Sequence, residues 1–300
     1  MRFLLFCLLP LCWLGCDPDP DPVMEPVEPL PVETSVTKQY ASMPGVDPDL
    51  LSLDVYFLEG QRLPLRPVVI YVHGGGWAVG DKANQIDDKV KLFRDQDYLF
   101  VSTNYRLSPV NGGGPDRVKF PDHNQDVATA IRWVYDSIAR YGGDPNRIAL
   151  LGHSAGAHLV ALTGTNPEFL EAEGLSPTSL RGVATIDTEG YDVGTQVAEG
   201  SALYLNAFGP DPEVHRRASP LFNLEAGRVT PRFFIGKRGT AARIRLANDF
   251  KAELERVGVI VQEVNGSVYT HAGINAAIGD PGEEVVTPVL LAFFGECFGE

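Results

Sequence analysis

Short apolar runs rich in β-branched residues alternate along the chain with longer amphipathic stretches. The runs predicted to be strands are 51–58, 67–72, 98–104, 148–151, 182–187, 232–235 and 259–264. Apolar residues at helical spacing predict helices over 122–140, 247–257 and 287–298, while 189–230 is predicted to be irregular. This alternation predicts one α/β domain with a mostly parallel sheet and helices on both faces.

The strand predicted at 148–151 runs directly into Gly152-His-Ser-Ala-Gly156, and a helix-forming apolar stretch follows. The pattern predicts a sharp strand–turn–helix with Ser154 at its apex. Glycine is needed at 152 and 156 because a side chain there would clash as strand and helix close on each other. Gly-x-Ser-x-Gly alone matches by chance, but this context makes Ser154 the candidate nucleophile.

A second glycine motif follows the strand predicted at 67–72, where the chain reads His73-Gly-Gly-Gly-Trp77. Without a Cβ, the backbone N–H groups of such a loop can approach a substrate oxygen closely. Acyl transfer needs these donors because the carbonyl oxygen becomes an oxyanion. The predicted donors are the N–H groups of Gly75, Gly76 and Ala155. The glycines at 111–114 are predicted to form only a surface loop.

These motifs resemble the α/β-hydrolase group that includes hormone-sensitive-lipase-like esterases, kynurenine-formamidase-like enzymes and feruloyl-esterase-like hydrolases. The resemblance runs from about residue 40 to the C-terminus, and its motifs fall in the order typical of the group. It implies the α/β-hydrolase fold, a carboxylesterase-type serine hydrolase, a small-molecule ester substrate, and no cofactor or metal. The matching segments are His73–Trp77, Gly80–Lys82, Asn104–Pro109, Phe120–Pro121, Asp126, Trp133, Tyr141–Arg147, Gly152–Gly156 and His271.

The resemblance also implies that the catalytic base is a histidine after the last strand. His271 follows the strand predicted at 259–264 and comes after Ser154, as the order of the group requires. Among the other histidines, His73 is expected to orient the glycine loop, whereas 123 and 215 are expected at the surface. A metal site built from His153 and His158 is not expected, because five residues apart on a helix they face different directions.

The catalytic acid is less well determined than the base. In the α/β-hydrolases that this chain resembles, the catalytic acid usually follows the strand that corresponds to residues 232–235. Here residues 237–243 contain no carboxylate. The preceding strand ends at Asp187, which keeps the order serine, acid, histidine and makes Asp187 the candidate acid. Glu189 and Asp192 are the alternatives, while Asp249 is expected to be a solvated helix residue.

The function indicated is ester hydrolysis through a Ser154–His271–Asp187 acyl-enzyme mechanism. Amide or formamide hydrolysis uses the same machinery, so a formamidase or peptidase is the alternative. A different class is a non-catalytic member of the fold that binds a small molecule or a partner. The displaced acid motivates that possibility, and the two glycine motifs argue against it.

The charge of the chain argues against a nucleic-acid partner and is concentrated in an N-terminal segment. The net charge is −14 and no basic stripe is present, which argues against nucleic-acid binding. Half of this excess lies between residues 16 and 50, which hold eight carboxylates and one lysine. The charge is therefore expected to solubilise an N-terminal segment rather than to steer a substrate.

The N-terminus is predicted to be a targeting segment. A short apolar run after Met1-Arg2 ends in Trp13-Leu-Gly-Cys16, which resembles a bacterial lipoprotein signal, with an ordinary secretory signal as the alternative. The predicted organisation is a signal peptide at 1–15, an acidic proline-rich disordered linker at 16–35 and the catalytic domain at 36–300. Lipid on Cys16 would anchor an exported protein to a membrane of the cell envelope, and the oligomeric state stays open.

Overall fold

The architecture is taken from a computed structural model that describes residues 32–60, 64–110 and 117–299. The predicted signal peptide, Cys16, most of the predicted linker and the glycines at 111–114 lie outside the described residues. Within those residues, no helix combines the length and apolar character needed to cross a membrane.

Eight strands of the described chain form a single sheet in the order β1-β2-β4-β3-β5-β6-β7-β8. The pairs β1–β2 and β2–β4 are antiparallel, and every pair from β4 to β8 is parallel, as the alternating pattern predicts. The strands are β1 (Val32–Gln39), β2 (Ser52–Glu59), β3 (Arg66–Val72), β4 (Leu99–Thr103), β5 (Gly143–His153), β6 (Leu180–Ile186), β7 (Arg232–Lys237) and β8 (Val261–Asn265).

Helices cover both faces of this sheet. The central strands explain why, because their residues contribute alternately to two separate cores: Ile70 to one and Tyr71 to the other. Helices α2, α3 and α8 pack on the first face, and α1 and α10 on the second. The helices described are α1 (Asp87–Asp95), α2 (Asp122–Ser137), α3 (Ala155–Thr165), α4 (Glu168–Ala172), α5 (Val193–Ala198), α6 (Ala202–Phe208), α7 (Pro212–Ala218), α8 (Ala241–Arg256), α9 (His271–Ala276) and α10 (Thr287–Phe298).

The structure differs from the sequence predictions at several element bounds; β5, for example, begins at Gly143, five residues before its predicted start. Strand β1 begins at Val32 and pairs along its whole length with β2, so residues 32–35 belong to the domain rather than to the linker. The segment predicted to be irregular contains α5, α6 and α7. Helix α8 begins at Ala241, six residues before the predicted start, because the Thr240 side chain caps its first turn.

Two histidines predicted at the surface are buried instead. His123 lies on α2, and its Nε2 is 2.9 Å from the Ser108 hydroxyl. His215 lies on α7 and its Nε2 donates to the Gly209 carbonyl at 2.7 Å. Both histidines therefore form hydrogen bonds with buried backbone or hydroxyl groups. The sequence context did not indicate this structural role.

Candidate active site

Ser154 occupies the tight turn between β5 and α3. Its φ of 55° is a left-handed conformation that is costly for a residue with a Cβ. A Cβ on Gly152 would lie 2.4 Å from the Gly156 carbonyl oxygen, and one on Gly156 would lie 2.1 Å from the Val72 carbonyl oxygen. The predicted need for both glycines is confirmed, and the second contact adds that the turn also packs against the neighbouring strand β3.

The structure brings Ser154, His271 and Asp187 together. The Ser154 Oγ lies 2.9 Å from His271 Nε2, and His271 Nδ1 lies 2.5 Å from Asp187 Oδ2. In this chain of contacts the serine hydroxyl donates to Nε2 while Nδ1–H donates to the carboxylate, which is the arrangement of a serine hydrolase triad. Ser154 and Asp187 follow the ends of β5 and β6, and His271 begins α9 beyond the end of β8. These residues are 33 and 84 positions apart in sequence, yet they meet at the carboxyl edge of the sheet.

Helix α9 holds His271 in a fixed position at its first turn. Thr270 caps this helix by accepting the Gly273 N–H. Further along α9, the buried Asn275 accepts a hydrogen bond from Tyr71 on β3 at 3.0 Å, and Lys89 on α1 donates to the Asn275 carbonyl at 2.6 Å. The imidazole is therefore mounted on a short helix that is tied to the sheet and to α1.

Asp187 follows β6 and carries three hydrogen-bond donors on one carboxylate. Besides His271, Arg243 donates to Oδ1 at 2.7 Å and Arg238 forms an ion pair with Oδ2. The residue has a φ of 50°, another left-handed conformation, and only 2% of its surface is exposed. The charge-assisted bonds hold the carboxylate in this strained and buried position.

Protonation states at the site follow from this environment. Burial alone would raise the pKa of Asp187, but the hydrogen bonds from His271 and Arg243 outweigh it and hold that pKa below its ordinary value. Burial, followed by the neighbouring His271, lowers the pKa of His153 to about 4. At neutral pH Asp187 is therefore ionised and His153 is neutral.

The alternative acids have other partners. Glu189 lies 2.5 Å from Arg243 in an ion pair, and Asp192 caps α5 by accepting the Thr195 N–H. Asp249 is exposed on α8, as the sequence predicts. Among the candidates that the sequence offered, Asp187 is the one whose carboxylate contacts the imidazole of His271.

The triple-glycine loop lies beside Ser154. Gly75 has a φ of 117° and Gly76 a φ of 60°, and a Cβ on Gly75 would lie 1.8 Å from the Val79 carbonyl oxygen, so this backbone requires glycine. Ala155 is the first residue of α3, where helical N–H groups have no partner within the helix. Gly76 and Ala155 line one cavity together with Ser154. The three predicted oxyanion donors are thus grouped around the hydroxyl, and their role stays a prediction.

Polar residues behind this loop fix its path. His73 donates from Nδ1 to the Gly74 carbonyl at 2.6 Å and stacks on Tyr105, which agrees with its predicted orienting role. Asn104 accepts the Lys82 N–H at 2.6 Å and donates to Asp81 at 3.1 Å, so that the motif residues of two loops are joined. The loop geometry is therefore determined by contacts between motifs that lie far apart in sequence.

Two cavities meet at Ser154. The larger is an open cleft of about 710 Å³ with polar groups such as Asn84, Gln85 and Asn275 in its wall. The smaller has a volume of about 130 Å³ and is bounded by Trp77, Tyr204 and other residues around the nucleophile. A reacting carbonyl at Ser154 would therefore have a narrow space on one side and a wide one on the other.

One group in the described part of the chain could offer three metal ligands. The candidate ligand atoms of His153, Asp187 and His271 lie within 4.8 Å of one another. However, His271 is already bonded to Asp187, and His153 Nε2 donates to the His271 carbonyl at 2.9 Å. This group coincides with the hydrolase triad, and it differs from the His153–His158 pair considered from the sequence, because His158 is buried and bonds Ala218.

A family model described as BD-FAE matches residues 53–186, the part that carries both glycine motifs and ends one residue before Asp187. The solved structure of esterase B from Lactobacillus rhamnosis with a tributyrin phosphonate inhibitor superimposes with a TM-score of 0.71 and 22% identity. That similarity covers 89% of this chain and 86% of the esterase. The chain has the α/β-hydrolase fold. A truncated carbohydrate esterase from gut microbiota has the same fold, with a TM-score of 0.71 at 19% identity over 89% of this α/β-hydrolase and 97% of that chain.

Curated relatives of this α/β-hydrolase carry esterase or hydrolase names. Esterase LipC of Mycobacterium tuberculosis is 31% identical over 228 residues, which is 71% of this chain and 54% of LipC. Phenmedipham hydrolase of Pseudarthrobacter oxydans is 38% identical over 130 residues, 41% of this chain and 25% of that enzyme. This α/β-hydrolase thus spans about half of LipC and a quarter of the phenmedipham hydrolase.

Three side chains that shape the site were not predicted from the sequence. Arg238 lies in the loop after β7 and Arg243 in the first turn of α8, the segment in which the α/β-hydrolases that this chain resembles usually have their acid, and both bind Asp187 instead. Leu203 of α6 lines both cavities. The basic composition of 237–243 was a visible signal for the arginines, because a buried acid needs a charged or polar partner. Nothing in the sequence indicated where α6 packs.

Proposed function

We propose that this chain is a serine hydrolase that cleaves carboxylic esters. The observation that carries the proposal is the continuous contact from Ser154 through His271 to Asp187, beside a glycine loop suited to an oxyanion. The names of the relatives support it, and so does the esterase structure that holds a phosphonate inhibitor. The small-molecule ester is the partner this site requires.

In the first step His271 Nε2 takes the proton of the Ser154 hydroxyl as Oγ attacks the ester carbonyl. The carbonyl oxygen becomes an oxyanion, which the N–H groups of Gly75, Gly76 and Ala155 stabilise. Asp187 keeps the imidazole in the tautomer whose Nε2 is free to accept the proton, and it stabilises the imidazolium that forms. When the intermediate collapses, the imidazolium returns the proton to the leaving alcohol.

The second step repeats this sequence with water. His271 removes a proton from a water molecule, whose oxygen attacks the acyl carbon on Ser154 Oγ. The same N–H groups stabilise the second oxyanion, and collapse releases the carboxylic acid while Oγ regains its proton from the imidazolium. Every proton is carried by His271, so the cycle needs no further side chain as acid or base.

The two cavities differ in the substrate group they suit. The smaller one adjoins the first turn of α3 and has aromatic walls, Trp77 and Tyr204, so we assign it to the acyl group. With a volume of about 130 Å³, against about 710 Å³ for the cleft, the smaller cavity suits a short acyl chain. The open cleft then takes the alcohol, and its larger volume suits a bulky one.

A panel of nitrophenyl esters tests this assignment. We expect hydrolysis of acetate and butyrate with kcat/KM at least about tenfold above that of octanoate, because the smaller cavity excludes the longer chain. The measurement is initial rate against concentration for each ester at one pH. A folded protein that hydrolyses none of them, and whose serine does not react with a fluorophosphonate, would contradict the proposal and favour a non-catalytic binding protein.

Amide hydrolysis is the second candidate. Arylacetamide deacetylase of Bos taurus is 35% identical over 111 residues, 36% of this chain and 26% of that enzyme. An amide needs the same nucleophile and oxyanion donors but has a poorer leaving group, which His271 must protonate. Adding an anilide to the ester panel distinguishes the two: a higher kcat/KM for the anilide than for the matching ester would make the protein an amidase.

We further propose that the mature chain begins at Cys16, which carries lipid and holds the protein at a membrane of the bacterial cell envelope. The apolar run that ends at Gly15-Cys16 and the acidic proline-rich stretch after it support this proposal. Mass spectrometry of membrane-extracted protein is expected to find a lipid-modified Cys16, and the Cys16→Ser variant should lose both the modification and membrane retention. An unmodified terminus, or cleavage elsewhere, would contradict the anchor.

A further inference from the structure

Four residues line both cavities of the site. Three of them are Gly76, Ser154 and His271, to which the proposed mechanism already gives roles. The fourth is Leu203, near the start of α6 and outside any motif of the sequence. A residue that borders both cavities lies on the boundary between them, so its side chain helps to decide where one ends and the other begins.

Leu203 packs directly against the glycine loop. A Cβ built on Gly76 would lie 2.6 Å from Leu203 Cδ2 and 2.7 Å from Cδ1, so the leucine side chain covers this glycine. At the same time 41% of Leu203 is exposed. The side chain therefore covers the entrance region above Ser154 rather than filling a core.

The other walls of the smaller cavity cannot move or retract easily. Trp77 is buried and its ring lies edge-on to the rings of Tyr204 and Phe208, each with centroids 4.9 Å away. On the opposite side Arg243 is fixed between Asp187 and Glu189 by ion pairs. Densely packed aromatic rings and paired charges resist displacement. Leu203 is thus a partly exposed wall that also borders the open cleft, and a substitution can remove it without breaking these ion pairs or ring contacts.

We propose that Leu203 is a specificity-determining residue, which separates the smaller cavity from the open cleft and so sets the longest acyl chain that the enzyme accepts. The proposal rests on the proposed esterase function and on the acyl assignment of the smaller cavity. With alanine at 203, the two cavities join above Gly76, and an acyl chain too long for the smaller cavity can extend into the cleft. A bulkier side chain at 203 closes the cavity further.

The test compares two leucines of one helix. Leu203→Ala is expected to raise the ratio of kcat/KM for octanoate to that for acetate by about tenfold or more. Leu205 lies two residues further along α6, is 45% exposed and lines neither cavity, so Leu205→Ala should leave the ratio within about twofold of the unmodified enzyme. Leu203→Phe should change the ratio of butyrate to acetate in the opposite direction.

Each outcome has one meaning. A ratio that Leu203→Ala does not change, in a variant that unfolds at the same temperature as the unmodified enzyme, overturns the proposal. An equal change in Leu205→Ala also overturns it, because the effect would then come from loosening α6. If Leu203→Ala does not fold, the shift caused by Leu203→Phe decides the question. Absence of any ester hydrolysis or fluorophosphonate labelling in the unmodified protein would refute the esterase function itself, and this inference with it.

Discussion

Replacement of Ser154 by alanine is expected to lower kcat for aryl acetates by about five to six orders of magnitude, the loss typical of an enzyme deprived of its nucleophile. The hydroxyl is the atom that forms the acyl-enzyme, and it lies 2.9 Å from His271 Nε2. The fold should persist, since alanine removes the hydroxyl and keeps the Cβ. The left-handed backbone at residue 154 is held in place by the tight packing of Gly152 and Gly156.

The measurement combines turnover with labelling by a fluorophosphonate, which reacts with an activated serine whatever the natural substrate is. Ser267 supplies a matched control, because it is exposed on the loop between β8 and α9, four residues before His271. Ser267→Ala should retain labelling and turnover, whereas Ser154→Ala should lose both. Labelling that persists in Ser154→Ala would show that the nucleophile is a different residue.

Elements with a strong local pattern were predictable from the sequence. Strand β3 and the second half of β5, from Ile148 on, are buried on both faces and therefore read as continuous apolar runs, and α10 was predicted with its observed bounds. Strand β1 was missed because its exposed residues are polar and its stability comes from pairing with β2. The short helices α5, α6 and α7 were missed because helices of six or seven residues depend on tertiary packing rather than on local propensity.

The residues of the site also differ in how far the local sequence predicts them. Ser154 and the two glycine motifs are encoded locally, because a tight turn requires glycine at fixed spacing. Asp187 was chosen by elimination, from the lack of a carboxylate at 237–243, and the sequence offered no direct sign of its contact with His271. The arginines that bind it lie 51 and 56 residues away, a pairing that only the folded sheet reveals.

Replacement of Asp187 by asparagine is expected to lower kcat by up to about four orders of magnitude while KM changes little. An amide can present its NH₂ to His271 Nδ1, which favours the wrong tautomer and leaves Nε2 protonated and unable to accept from Ser154. A second cost is electrostatic. Arg238 and Arg243, with side chains only 15% and 19% exposed, would lose their shared carboxylate and repel the imidazolium that forms during turnover.

Two control variants separate the catalytic effect from the structural one. Glu189→Gln removes a different carboxylate from the same Arg243 without touching His271, so it should cost about tenfold or less in kcat. Asp249→Asn changes an exposed carboxylate on α8 and should be neutral. Thermal unfolding of all three variants shows how much of any loss comes from unpaired arginines.

Because the pKa of Asp187 lies below its ordinary value, the difference in kcat between Asp187→Asn and the unmodified enzyme should persist throughout the neutral pH range. A folded Asp187→Asn variant with nearly full kcat would mean that Ser154 and His271 act as a dyad, and that the carboxylate at 187 serves the arginines instead.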